Sequence, residues 1–192
     1  MNGDAFRSFI AIPSVPSLRK RLETLQDDLK KLDLDVKWVL PEQIHLTLKF
    51  LGQTRFSILE ELKACLDEIA QRTSASSFWV DRFGAFPDLR RPRVLWVGSG
   101  ETPPGLQKLA QSIEDDVTRF GFEKENRSFK THLTLGRFRS PKHGDRLERW
   151  VKEYPLSWRE EFPCERVILF QSTLTPTGPI YTPLYEVSLK KI

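Results

Sequence analysis

Cysteine is scarce in this 192-residue sequence, which contains only Cys65 and Cys164. Two thiols are too few for a disulfide-stapled scaffold or a cysteine-based zinc site. The expected state is two buried, reduced thiols in a reducing cytoplasm. Long apolar runs are also missing. No stretch approaches the roughly 18 residues needed to cross a bilayer, and no basic segment followed by an apolar one marks a signal peptide. A cytoplasmic protein without membrane attachment is expected. Neither sign of charge dominates: 30 Lys+Arg stand against 26 Asp+Glu, a net +4. That mild tilt favours anionic partners and permits nucleic acid without demanding it. Aromatic residues are plentiful, with 13 Phe, 5 Trp and 3 Tyr. They supply enough apolar surface to offset chain entropy, which argues against disorder. The length suits one domain, or two small lobes sharing one core.

Periodicity outlines the elements. Residues 7–12 form an apolar stretch bounded by Pro13 and Pro16, and read as a strand. Leu18, Leu22, Leu25, Leu29 and Leu32 recur at helical spacing, with Ser14 or Ser17 as the expected cap. Strands are expected at 36–39 and 44–51, a second helix from Ile58, and an extended stretch over 78–86. A proline- and arginine-rich loop, 87–93, comes next. The second half predicts a strand at 94–97, a helix over 106–120 with Gly121 as its C-cap, and a strand at 131–138. A short helix around Leu147–Val151 and two closing strands, 167–174 and 181–189, complete the pattern.

The tetrapeptide His-Leu-Thr-Leu occurs twice, at His45–Leu48 and His132–Leu135, 87 residues apart. Under the same shift, strand falls on strand and helix on helix along the chain. An internal repeat of about 7–86 and 94–173 within one domain, 1–192, is therefore expected.

Side chains alternate faces along a strand. His45 and Thr47 therefore share one face, opposite Leu46 and Leu48, and His132 and Thr134 behave alike. A two-fold relation between the strands would gather two imidazoles and two hydroxyls. In-line displacement at a phosphate diester needs a base on one side and an acid on the other. Imidazole, with an unperturbed pKa of ~6.5, serves as either near neutrality. The threonine hydroxyls would hydrogen-bond the non-bridging oxygens. This scheme calls for no metal or other cofactor. The third histidine, His143, lies in a polar stretch and is read as a solvated loop residue.

The paired motifs resemble the 2H phosphoesterase superfamily, and more closely the RNA 2′,3′-cyclic phosphodiesterases, also called 2′-5′ RNA ligases. The resemblance runs through residues 7–12, 38–52, 83–87, 92–96, 129–137, 169–172, 175–178 and Tyr181, so that it spans nearly the whole chain. It implies an α+β fold of two pseudo-symmetric lobes, each an antiparallel sheet with helices on its outer face and a cleft between them. It implies hydrolysis of an RNA terminal 2′,3′-cyclic phosphate to a 2′-phosphate without metal, and reversible 2′-5′ ligation in some members. By motif position, it implies His45 as proton donor and His132 as acceptor; the residues alone leave the direction open. Thr131 departs from the proline usual before the second motif. It is expected to spare the chemistry while loosening the start of that strand.

Parity supplies further candidates. Lys130 shares a face with His132, and Lys49 with Thr47, so both are expected to line the cleft; the resemblance ranks Lys130 higher as a phosphate ligand, because the family often has Arg or Lys at its position. Arg137 falls on the leucine parity unless the strand has ended, and is a candidate nucleotide contact. Phe9 and Trp96 correspond under the repeat, and would stack a base on either side of the cleft. Arg90, Arg91 and Arg93 form a basic cluster able to track a nucleic-acid backbone. The expected partners are RNA ends or nucleotides bearing a 2′,3′-cyclic phosphate, met by a monomer. Two other readings stay open: a phosphodiesterase acting on small cyclic nucleotides or 2′-5′ oligonucleotides, and a non-catalytic RNA- or nucleotide-binding module.

Overall fold

The computed structural model describes residues 4–140, 144–153, 156, 158–176 and 178–191. His143 lies outside the described residues. The first half runs through β1 (Ala5–Pro13), α1 (Pro16–Lys30), β2 (Val36–Trp38), β3 (His45–Arg55), α2 (Leu59–Arg72), β4 (Ser76–Val80) and β5 (Arg82–Phe86). The second runs through β6 (Val94–Gly98), α3 (Pro104–Val117), β7 (His132–Phe138), α4 (Gly144–Glu153), β8 (Glu160–Cys164), β9 (Arg166–Thr175) and β10 (Gly178–Ser188).

Local chemistry accounts for most of these. Helix α1 buries Leu18, Leu22, Leu25 and Leu29 on one stripe. Each such leucine contributes about 1.5–3 kcal/mol by leaving water. Its cap differs from expectation: Val15 occupies that position with no side-chain bond. Ser14 instead accepts a hydrogen bond from Arg19 Nε at 2.9 Å. Helix α3 ends through a 3-10 turn at Gly121, whose φ of 85° suits a residue without Cβ. The stretch expected as one strand over 78–86 is two, because β4 pairs with β8 while β5 pairs with β6. Strand β8 was hidden by its two glutamates and Pro163, although Phe162 and Cys164 do alternate inward.

Two four-stranded antiparallel sheets result, ordered β10-β9-β1-β3 and β2-β7-β6-β5. The triplets β9-β1-β3 and β5-β6-β7 correspond strand for strand under the 87-residue shift. The halves of the sequence are nevertheless not the lobes. Strand β5 comes from the first half but pairs in the second sheet, and β9 does the reverse. The helices cross over too. Helix α1 is tied to the second sheet, where Gln26 Nε2 donates to the Leu135 carbonyl at 2.9 Å. Helices α2 and α3 pack on β10 and β3 of the first.

The leucine faces of both sheets merge with the helices into one core that includes Leu46, Leu66, Leu109, Leu133 and Leu147. Cys65 and Cys164 are buried in it and unpaired, and burial pushes the Cys164 thiol up to about 12. Among the described residues no helix is long and apolar enough to cross a membrane.

Candidate active site

Strand β3 carries His45 and Thr47 half-buried between the buried Leu46 and Leu48, and β7 repeats the arrangement with His132, Thr134, Leu133 and Leu135. Both polar pairs line one cavity of about 1560 Å³ between the sheets. Each ring is fixed the same way. His45 Nδ1 lies 2.7 Å from the Gln43 carbonyl, and His132 Nδ1 lies 2.8 Å from the Lys130 carbonyl. A carbonyl only accepts, so both Nδ1 atoms carry hydrogen. The neutral rings therefore keep Nε2 as a free acceptor.

Strict alternation fails just beyond each motif, for one physical reason. In β3 the register jumps from Thr47 paired with Ala11 to Lys49 paired with Ile10, so Leu48 is the extra residue of a bulge. In β7 it jumps from Thr134 paired with Trp96 to Gly136 paired with Leu95, so Leu135 bulges equivalently. Each bulge inverts the parity of the residues beyond it. Lys49, expected in the cleft, turns inward and is 2% exposed. Its stem borders the cavity, but its ammonium donates to Glu114 Oε1 at 2.5 Å and to the Glu123 carbonyl at 2.6 Å. Arg137, expected on the leucine side, swings into the cavity instead.

The base-stacking pair also differs from expectation. Phe9 is 3% exposed, stacked on His45 at 4.8 Å and on Phe170 at 5.2 Å between ring centroids. It borders the cavity and supports the imidazole, with its faces covered by His45 and Phe170. Trp96 lies over Gly84, where a Cβ would come within 2.2 Å of its ring. It packs on Phe86 and does not border the cavity. The ring that is open in the cavity is Phe50, 53% exposed. Thr131 is not loose: it is 3% exposed and its hydroxyl bonds Thr102 at 2.8 Å. Gly98 allows this approach, since a Cβ there would lie 2.1 Å from the Thr131 carbonyl oxygen.

Edge-on contacts from Tyr181 to His45 and from Phe86 to His132 complete the ring surroundings. These partners come from long-range pairing, which no local pattern reveals. Burial pushes His45 down to about 4, with Arg137 and His132 adding to the shift and the Gln43 carbonyl opposing it. His132 is likewise held below its ordinary value, by burial first and by Arg137, against the pull of the Lys130 carbonyl and Glu125. Arg7, Arg91, Arg93, Arg127, Lys130 and Arg137 all border the cavity, and none forms an ion pair with a described residue. Arg90 turns away to Glu148. The cavity is thus an anion site by charge, with two proton carriers in it. Among the described residues no group of three or more His, Cys, Asp or Glu side chains is placed to hold a metal ion.

Comparison with known proteins matches this arrangement. The family model described as LigT-like phosphoesterase fits the chain twice, over residues 12–96 and 97–181. The RNA 2′,3′-cyclic phosphodiesterase of Methanothermobacter thermautotrophicus is 33% identical over 176 residues, 92% of this chain and 95% of that protein. The protein of the same name from Thermotoga maritima is 34% identical over 190 residues, 94% of each chain. The crystal structure of E. coli LigT complexed with 3′-AMP has a TM-score of 0.80 at 26% identity, covering 97% of this chain and 99% of that one. The chain belongs to the LigT-like phosphoesterase family.

Proposed function

We infer that the protein hydrolyses the 2′,3′-cyclic phosphate at an RNA end to a 2′-phosphate, with His45 and His132 as its acid–base pair. The observation that carries this reading is the matched anchoring of the two imidazoles, each with Nδ1 tied to a carbonyl and Nε2 left for a ligand. In this reading His132 Nε2 takes a proton from water as the oxygen attacks phosphorus. The P–O3′ bond breaks, and His45 Nε2–H gives its proton to the departing O3′. Thr47, Thr134, Lys130 and Arg137 hold the non-bridging oxygens, whose charge grows in the transition state. Phe50 offers its open ring to the base.

The low pKa of His45 leaves it neutral in the empty cavity at pH 7. An anionic phosphate beside the ring favours the charged form, so His45 takes up the proton needed by the acid from solvent as the substrate binds. With a 5′-hydroxyl RNA end in place of water, the same pair would form a 2′-5′ linkage. Neither route calls on a metal ion. Both imidazoles come from one chain, so a monomer is complete, and two buried free thiols suit a reducing cytoplasm.

Kinetics and product analysis on an RNA ending in a cyclic phosphate test the assignment. His45→Ala and His132→Ala are each expected to lose about 10²–10⁴ in rate, and wild-type activity is expected to survive a chelator. Full activity in either variant overturns the pair. The same assay run on cyclic mononucleotides and 2′-5′ oligonucleotides decides among substrates, since LigT of E. coli is seen with 3′-AMP, a single nucleotide. Tight binding of a 2′-phosphate without any turnover would make the protein a binding module.

A further inference from the structure

The structure assigns Lys49 and Glu114 as a positioning pair that holds the 121–131 segment, and through it the tautomer of His132. This rests on the proposed role of His132. Lys49 is 2% exposed on its side chain and Glu114 16%. A buried ion pair is a poor source of net stability, because desolvating both charges offsets their attraction. Apolar residues of similar size would fill the space as well. What apolar residues lack is the further reach of these two. Lys49 donates to the Glu123 carbonyl at 2.6 Å. Glu114 Oε1 accepts the Glu125 N–H at 2.7 Å. The pair thus clamps main chain on both sides of Lys124.

That segment delivers three things to the cavity. Arg127 and Lys130 border it with their side chains. The Lys130 carbonyl fixes Nδ1 of His132 at 2.8 Å. The pseudo-symmetric His45 depends on nothing comparable, since Gln43 sits on a short 3-10 turn, Pro41–Gln43, tied at 2.8 Å to the Pro179 carbonyl. The bulge at Leu48 is what turns Lys49 toward α3 and the segment.

The test is nitrogen-15 histidine NMR together with steady-state kinetics on Lys49→Met and on the double variant Lys49→Met/Glu114→Leu. The double variant leaves no unpaired buried charge and keeps the fold if the single one does not. His132 is expected as the Nδ1–H tautomer in the wild type and as a mixture in the variants, with His45 unchanged in all. The specificity constant kcat/KM is expected to fall about 10- to 100-fold, as for a small misplacement of a catalytic group. Adding Arg127→Ala is expected to cost much less in the variant background than in the wild type. A folded variant with an unaltered His132 spectrum and an unaltered kcat/KM overturns the assignment. If the wild type turns over no cyclic phosphate, the proposed activity falls, while the tautomer measurement still decides the positioning role.

Discussion

Phe9 lies against His45 with ring centroids 4.8 Å apart and planes inclined by 29°. Such a contact is worth about 0.5–1.5 kcal/mol beyond the area it buries. It also excludes water from an imidazole whose pKa is pushed to about 4, chiefly by burial. Phe9→Leu removes the flat contact and keeps an apolar neighbour. The His45 midpoint is expected to climb toward ~6.5, and kcat to drop several-fold as the ring loses its orientation. An NMR titration of the imidazole that leaves the midpoint where it is would contradict this.

Arg137 acts on both imidazoles at once, lowering each through its charge. Arg137→Gln is expected to raise the midpoints of both histidines. KM for a cyclic phosphate should rise about 10- to 100-fold, in line with about 1.5–3 kcal/mol for a hydrogen bond to a charged group. Arg90→Ala is the control, because that side chain pairs with Glu148 outside the cavity, and it should leave KM as it is. Equal effects from the two substitutions would remove Arg137 from phosphate binding.

Acid stability carries the signature of a buried neutral imidazole. The folded pKa of His45, about 4, lies below its unfolded value near 6.5. The stability linked to this group is present above the unfolded value and is lost as pH falls through the folded one. Between pH 7 and pH 4.5 the wild type should lose on the order of 2–3 kcal/mol more than His45→Gln. Urea unfolding at the two pH values reads the difference directly, and parallel losses in the two proteins would refute it.

The sequence made the motif strands legible because four residues of clean alternation, His-Leu-Thr-Leu, were enough to fix which side faces the cavity. It made the helices legible through their leucine spacing. Alternation then misplaced Lys49 and Arg137, because one extra residue in a ladder inverts parity and has no composition of its own. Leu48 and Leu135 look like any other strand leucine. Phe9 and Trp96 corresponded under the repeat, but their surroundings do not: Phe170 and Tyr181 crowd the first ring, and Phe86 shields the second. Strand β8 escaped notice because its charged and proline residues are tolerated where pairing is with β4 alone.

The exchange of β5 and β9 between sheets bears on how this polypeptide can be dissected. Cut near residue 90, the amino-terminal fragment would keep β1 and β3 but lose the neighbour of β1 on its other side, and the carboxy-terminal fragment would lose β5 from β6. Each piece would own one of the two motif imidazoles and an open hydrogen-bonding edge, a template for aggregation. Only by docking together would the two pieces restore the β1–β9, β2–β7, β4–β8 and β5–β6 ladders, so split-protein complementation, not independent folding, is the behaviour written into this topology.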